Sequence, residues 1–116
     1  MKILNLTLNK LPFDVMLSGE KNKEYRQIYN DDNTIKKGNR GKLYDKTSNY
    51  QIPKTYDYIK FINGYGNDKP YFIAKYISTN IINTVDEIYS NGLYIKYDKP
   101  LYCIEFGEII EKNNIN

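Results

Sequence analysis

Histidine and tryptophan are absent from this 116-residue chain, and cysteine occurs once, at Cys103. Without imidazole there is no Ser-His or Cys-His nucleophile pair, and the commonest metal ligand is missing. One thiol makes no intrachain disulfide, and a zinc site needs several Cys or His ligands. No metal and no cofactor are therefore expected, and any catalysis has to run on Lys, Asp, Glu, Tyr, Ser or Thr. Long apolar runs are lacking too: no stretch approaches the roughly 18 residues of a membrane span. The opening residues Met1 to Leu8 alternate apolar and polar side chains instead of forming the continuous apolar run of a secretory leader, so a cytoplasmic protein without membrane contact is expected.

What the chain does have is an ordinary globular balance, with 41% hydrophobic and 27% charged residues. That argues against wholesale disorder, and the length suits one domain over residues 1–116 with one modest core. The net charge of +3 permits nucleic-acid binding without requiring it, because clustering matters more than the sum. Asn, Ile, Lys and Tyr supply about half the chain. Their codons are A/T-rich, so a low-GC gene accounts for most of the 13 tyrosines and base stacking for few of them.

The periodicity predicts a strand over Ile3 to Asn9 with Leu4, Leu6 and Leu8 facing the core. A helix of about two turns follows. Pro12 suits its first turn, Asp14 its positive end, Phe13, Met16 and Leu17 form its apolar stripe, and Gly19 suits the position just past its end. Lys21 to Ile28 reads as a strand with Glu24, Arg26 and Ile28 on one face. Tyr29 to Thr55 is a polar insertion without sustained period, either an excursion over a site or a segment hiding short elements. Strands are predicted at Tyr56 to Ile62 and Tyr71 to Ser78, around an Asn63-Gly64 turn. Thr84 to Glu87 has the form of a capping box and predicts a helical turn before Gly92. Leu93 to Tyr97 and Leu101 to Phe106 are the remaining strands, and Glu111 to Asn116 is expected to fray. This inventory predicts an α+β fold, a small antiparallel or mixed β-barrel with one short N-terminal helix.

Gly19 lets the backbone turn sharply, so that Lys21 projects at the helix-to-strand junction beside Glu24 and Arg26. Such a cluster offers an acceptor flanked by two cations: Arg26 suits a phosphate or the face of a base, Lys21 acts as a mobile charge, and Glu24 suits an exocyclic amine. The same spacing also reads as a surface ion-pair network contributing about 0–1 kcal/mol. Lys36, Lys37, Arg40 and Lys42 gather four cations around two glycines, with Tyr44 beside them. Basic segments with adjacent aromatics suit single-stranded nucleic acid, and equally a solvated loop. Asn63 and Tyr65 are most simply turn residues, and as a site they offer an amide and an aromatic face. Cys103 lies in an apolar run and reads as an inert core residue.

The run Leu17-Ser18-Gly19-Glu20-Lys21-Asn22-Lys23-Glu24-Tyr25-Arg26 resembles the signature of ASCH domains, which belong to the PUA-like superfamily. In that family a helix ends at a glycine, a lysine follows two residues on, and glutamate and arginine come after it. Gly19, Lys21, Glu24 and Arg26 fit the pattern, and Phe13-Asp14 sits where many members have an aromatic-Asp pair. Phe61-Ile62-Asn63-Gly64-Tyr65-Gly66 is similar to a segment of phage-encoded members, and Ile104 to Ile109 to their final strand. These matches leave the middle insertion and the region around Asn80 to Gly92 uncovered, and no tryptophan follows the signature as it often does in phage-type members.

The resemblance implies a PUA-like barrel with a cleft beside the helix, binding RNA, a nucleotide or a modified nucleoside without catalysis through Lys21, Glu24, Arg26, Asn63 and Tyr65. Some small members are amidohydrolases of acetylcytidine that use lysine, threonine and glutamate. Lys21 matches the lysine, whereas Glu24 stands where those enzymes have threonine. An amidohydrolase or nuclease-like enzyme working through Lys21 and Glu24 is thus the alternative. The phage-like segment implies a third reading, a protein that binds a host or defence protein.

Overall fold

A computed structural model describes residues 1–39, 41–45 and 52–115. Leu4, Leu6 and Leu8 bury one face of β1 (Ile3–Leu8), as the alternation predicts. The helix α1 (Lys10–Leu17) begins at Lys10, two residues before Pro12, and buries Phe13, Val15 and Met16, with Leu17 packed at the core's margin. Asp14 is thereby the fifth helical residue, too far along to meet the positive end of the dipole. It accepts from Lys10 one turn earlier, at 2.6 Å, on an exposed face. Gly19 takes φ +89° immediately beyond the helix, a region closed to most side chains. That turn delivers the chain to β2 (Lys23–Gln27).

The remaining strands are β3 (Tyr58–Asn63), β4 (Tyr71–Ile82), β5 (Val85–Ile88), β6 (Tyr94–Tyr97) and β7 (Leu101–Asn113). Five of the seven strands among the described residues form one sheet in the order β1-β3-β4-β7-β2. β1 and β3 run parallel, and every other pair is antiparallel. The long β4–β7 pair slips register between Ile73 and Ser78, and such bulges bend a sheet. Gly107 lies at this bend, where a Cβ would stand 3.3 Å from Cδ1 of Ile77. The sheet curls into half a barrel around Phe13, Phe61, Phe72 and Phe106, whose ring centroids lie 4.8–6.3 Å apart where they touch. The half-barrel and the one α-helix among the described residues bear out the coarse expectation of a β-rich α+β fold.

Two expectations need correction, and the insertion holds short elements. Thr84 to Glu87 does not start a helical turn: Val85 to Ile88 pair with Tyr97 to Tyr94 as a hairpin, β5–β6. The segment after Glu111 does not simply fray, because β7 continues to Asn113 opposite Tyr71, and Ile115 packs against the core. The insertion between β2 and β3 is partly structured, with a 3-10 turn at Lys37–Asn39 and bridges Tyr29–Ile35 and Tyr44–Pro53. No helix among the described residues is long and apolar enough to cross a membrane.

Candidate functional site

The sheet has two free edges, β1 and β2, and the half-barrel leaves a seam between them. One side chain crosses it: Nη2 of Arg26 in β2 donates to the carbonyl oxygen of Thr7 in β1 at 3.0 Å. At this seam lies a cleft of about 450 Å³. Thr7, Leu8, Asn9 and Pro12 form one wall, Glu24, Tyr25, Arg26 and Gln27 the other, and Lys36, Gly64 and Tyr65 the rim. The cleft mouth therefore collects residues from the helix start, the signature strand, the insertion and the β3–β4 turn.

Inside it, Glu24 is clamped. Nε of Arg26 donates to Glu24 Oε2 at 3.1 Å and its Nη2 lies 3.0 Å from the same oxygen, while Oε1 accepts from the Tyr25 N–H at 3.1 Å and lies 3.7 Å from Nζ of Lys21. Each Glu24 oxygen thus accepts one hydrogen bond from a described residue and faces one cation. Nη1 of Arg26 makes no bond to a described residue, and the side chain is 28% exposed towards the cleft. That edge of the guanidinium is what the site offers a ligand.

Lys21 differs from its expected role. Its side chain has no exposed surface and lies outside the cleft lining. Its ammonium donates to the Lys23 carbonyl oxygen and stands 5.0 Å from the Tyr25 ring centroid. Burial pulls the Lys21 amine below its ordinary value, against the upward influence of Glu24 and then Glu87. Lys21 therefore supports Glu24 from behind and is no mobile charge at the mouth.

Behind β2 sits the β5–β6 hairpin. Tyr25 and Tyr89 donate their hydroxyls to the two oxygens of Glu87, Ser90 donates to Glu20, and Nδ2 of Asn91 donates to the Leu11 carbonyl oxygen at 3.0 Å. Burial raises the Glu87 carboxyl and is the largest single influence, yet the two hydroxyls together with Lys21 and Lys23 hold it below its ordinary value. Burial and the Glu87 anion push both phenols up. Sequence reasoning missed this clamp because Glu87 lies 62 residues beyond Tyr25, and no local pattern links them.

The clamp sets an alkaline limit. The folded phenols titrate above their unfolded value of about 10, so the fold keeps protons that the unfolded chain releases. Their contribution is whole below about pH 10 and is lost as pH climbs through the folded values. Urea midpoints should fall steadily from pH 10 to 11, and the Tyr25→Phe/Tyr89→Phe variant should show a shallower decline. Equal slopes for the two proteins would exclude the clamp as the cause.

Of the rim residues, Tyr65 is 86% exposed and lines the cleft with Gly64. Asn63 instead ends β3, donating its N–H to the Pro70 carbonyl oxygen at 2.9 Å, and is not part of the lining. Lys36 reaches the rim, Lys37 lies just beyond it, and Lys42 is close enough to Arg26 to feel its charge. Tyr44 is a correction: it is 2% exposed, its ring stacked on Tyr102 at 5.9 Å, so it presents no face to a base. Arg40 lies outside the described residues. Cys103 is buried on β7, and burial pushes its thiol up, the environment of an unreactive cysteine. Among the described residues no three His, Cys, Asp or Glu side chains are grouped to hold a metal.

Compared with protein-family models, curated proteins and solved structures, the chain matches none.

Proposed function

We propose that the chain is a PUA-like module that binds RNA or a nucleotide in the seam cleft and catalyses nothing there. The carrying observation is the pairing, at one mouth, of an outward guanidinium edge and an exposed aromatic ring. Arg26 is pre-set by Glu24, so little ordering is left to be paid for on binding. Tyr65 offers a face on which any base stacks. The resemblance of Gly19, Lys21, Glu24 and Arg26 to the ASCH signature supports the same reading, as does the half-barrel with its helix beside the seam.

The amidohydrolase alternative is less well supported. A lysine base or nucleophile must reach its substrate, whereas the Lys21 amine is buried and held by Lys23 and Glu24. The test is binding of a labelled eight-nucleotide single-stranded RNA, and of a nucleotide panel, by wild type and Tyr65→Ala. Loss of one stacking face is expected to cost about 1–3 kcal/mol of affinity. Wild-type affinity in the variant would remove Tyr65 from the site, and absence of any binding would end the proposal.

A further inference from the structure

Beyond Arg26 the cleft opens into a second concavity of about 390 Å³, lined by Arg26, Asn30, Lys36, Lys37 and Gly38. Arg26 and Lys36 belong to both, so the two form one continuous groove. Apart from Arg26, the second part is built by the insertion, the part of the chain that the ASCH resemblance leaves uncovered. Lys42 approaches the same arginine: burial first, and then the charge of Arg26, holds its amine below the ordinary value.

Lys36, Lys37 and Lys42 form no ion pair among the described residues. Asp32, in the same segment, is engaged by the N–H and hydroxyl of Thr34 and feels Lys99 instead. Glu24 is already clamped by Arg26 and Lys21. Cations converging on a concave surface repel one another and concentrate anions there. Lysine ammonium groups and an open guanidinium edge are the donors that phosphate oxygens take.

We infer that this second concavity is a phosphate subsite, and that the ligand carries at least two neighbouring phosphate groups, the first on Arg26 and Lys36 and the next on Lys37. The inference deepens the proposed function and rests on it for the base in the first cleft. Its phosphate contacts stand on the groove alone. A nucleoside polyphosphate and successive phosphodiesters of a single strand share this chemistry.

The experiment titrates tripolyphosphate, the four ribonucleosides, their triphosphates and an eight-nucleotide single-stranded RNA into the full chain at 50 and 200 mM salt. Lys36→Gln/Lys37→Gln and Tyr65→Ala are measured beside wild type, with a circular-dichroism melt confirming each fold. The phosphorylated probes are expected to bind at least tenfold tighter than the nucleosides. The double lysine variant is expected to lose most of that gain and to flatten the dependence of log K on log salt by about 1.4, at roughly 0.7 per phosphate contact. RNA binding tighter than the triphosphates assigns the phosphates to a strand, and the reverse order assigns them to a free nucleotide.

Equal affinity for nucleosides and triphosphates, or an unchanged salt slope in the lysine variant, overturns the subsite and leaves the base cleft standing. Tripolyphosphate binding abolished by the lysine changes, with Tyr65→Ala silent on every probe, keeps the subsite and overturns the base reading. No binding of any probe overturns both.

Discussion

Replacing Glu24 with glutamine is expected to cost about 3–5 kcal/mol of stability, a fall in Tm on the order of 10–20 °C. The size follows from what the carboxylate leaves behind. Lys21 has no exposed side-chain surface and relies on Glu24, 3.7 Å away, for its opposite charge. Without it a buried ammonium keeps one carbonyl, the face of Tyr25 and the weaker influence of the Glu87 anion. The Lys21→Met/Glu24→Gln double variant should be more stable than Glu24→Gln alone, because removing the ammonium removes the unpaired charge.

The pH dependence carries a second sign of the same pair. The folded Lys21 amine already titrates below its ordinary value of 10.5, so between the folded value and about 10.5 the unfolded chain binds more protons. Stability contributed by this group therefore rises with pH across that window. Loss of Glu24 lowers the folded value further and widens the window, so the deficit of Glu24→Gln should narrow between pH 7 and 10. Chemical denaturation of wild type, Glu24→Gln, Lys21→Met and the double variant, at both pH values, checks this. A cost under about 1 kcal/mol that is the same with and without Lys21 would make the pair no more than a surface contact.

Phe61→Ala is expected to cost a similar 3–5 kcal/mol for a different reason. Its ring is fully buried, 4.8 Å from Phe106 and 5.1 Å from Phe72 between centroids, at the centre of the curled sheet. Truncation leaves a void that four strands and the helix cannot close together. Tyr65 lies four residues further along the chain, and Tyr65→Ala should stay within about 0.5 kcal/mol of wild type because the ring is 86% exposed. Urea denaturation of both variants gives the comparison. A Tyr65→Ala loss as large as that of Phe61→Ala would mean that the rim is part of the core.

Features written in a few adjacent residues were legible in the sequence. The alternation of Leu4, Leu6 and Leu8 gave a strand face, and Pro12 in the first turn with Gly19 just past the end marked a helix. Period two placed Glu24 and Arg26 on one side of β2, and they do pair. What could not be read depends on partners far along the chain. Thr84 to Glu87 satisfies a capping box locally, yet cross-strand pairing with Tyr94 to Tyr97 overrides it. Glu111 to Asn113 looks frayed until Tyr71 to Ile73 supply a ladder. Tyr44 sits in a polar segment, but with Leu43 it dips into the core against Tyr102. Lys21 carries no local mark of burial, because β7 and the hairpin that surround it come about 65–85 residues later.

The position of β2 at the edge of the sheet governs when the site can exist. Its sheet neighbour is β7, with Lys23 to Gln27 paired to Glu105 to Leu101, and the β5–β6 hairpin behind it is also made late. A ribosome emits residues at about 5–20 per second, and pairings of such long range form slowly. The β2 segment therefore leaves the ribosome seconds before its sheet partner exists. β2 has no strand to pair with in the sheet until β7 follows. A nascent chain that stops short of Leu101 lacks the whole of the strand against which Lys23 to Gln27 are paired.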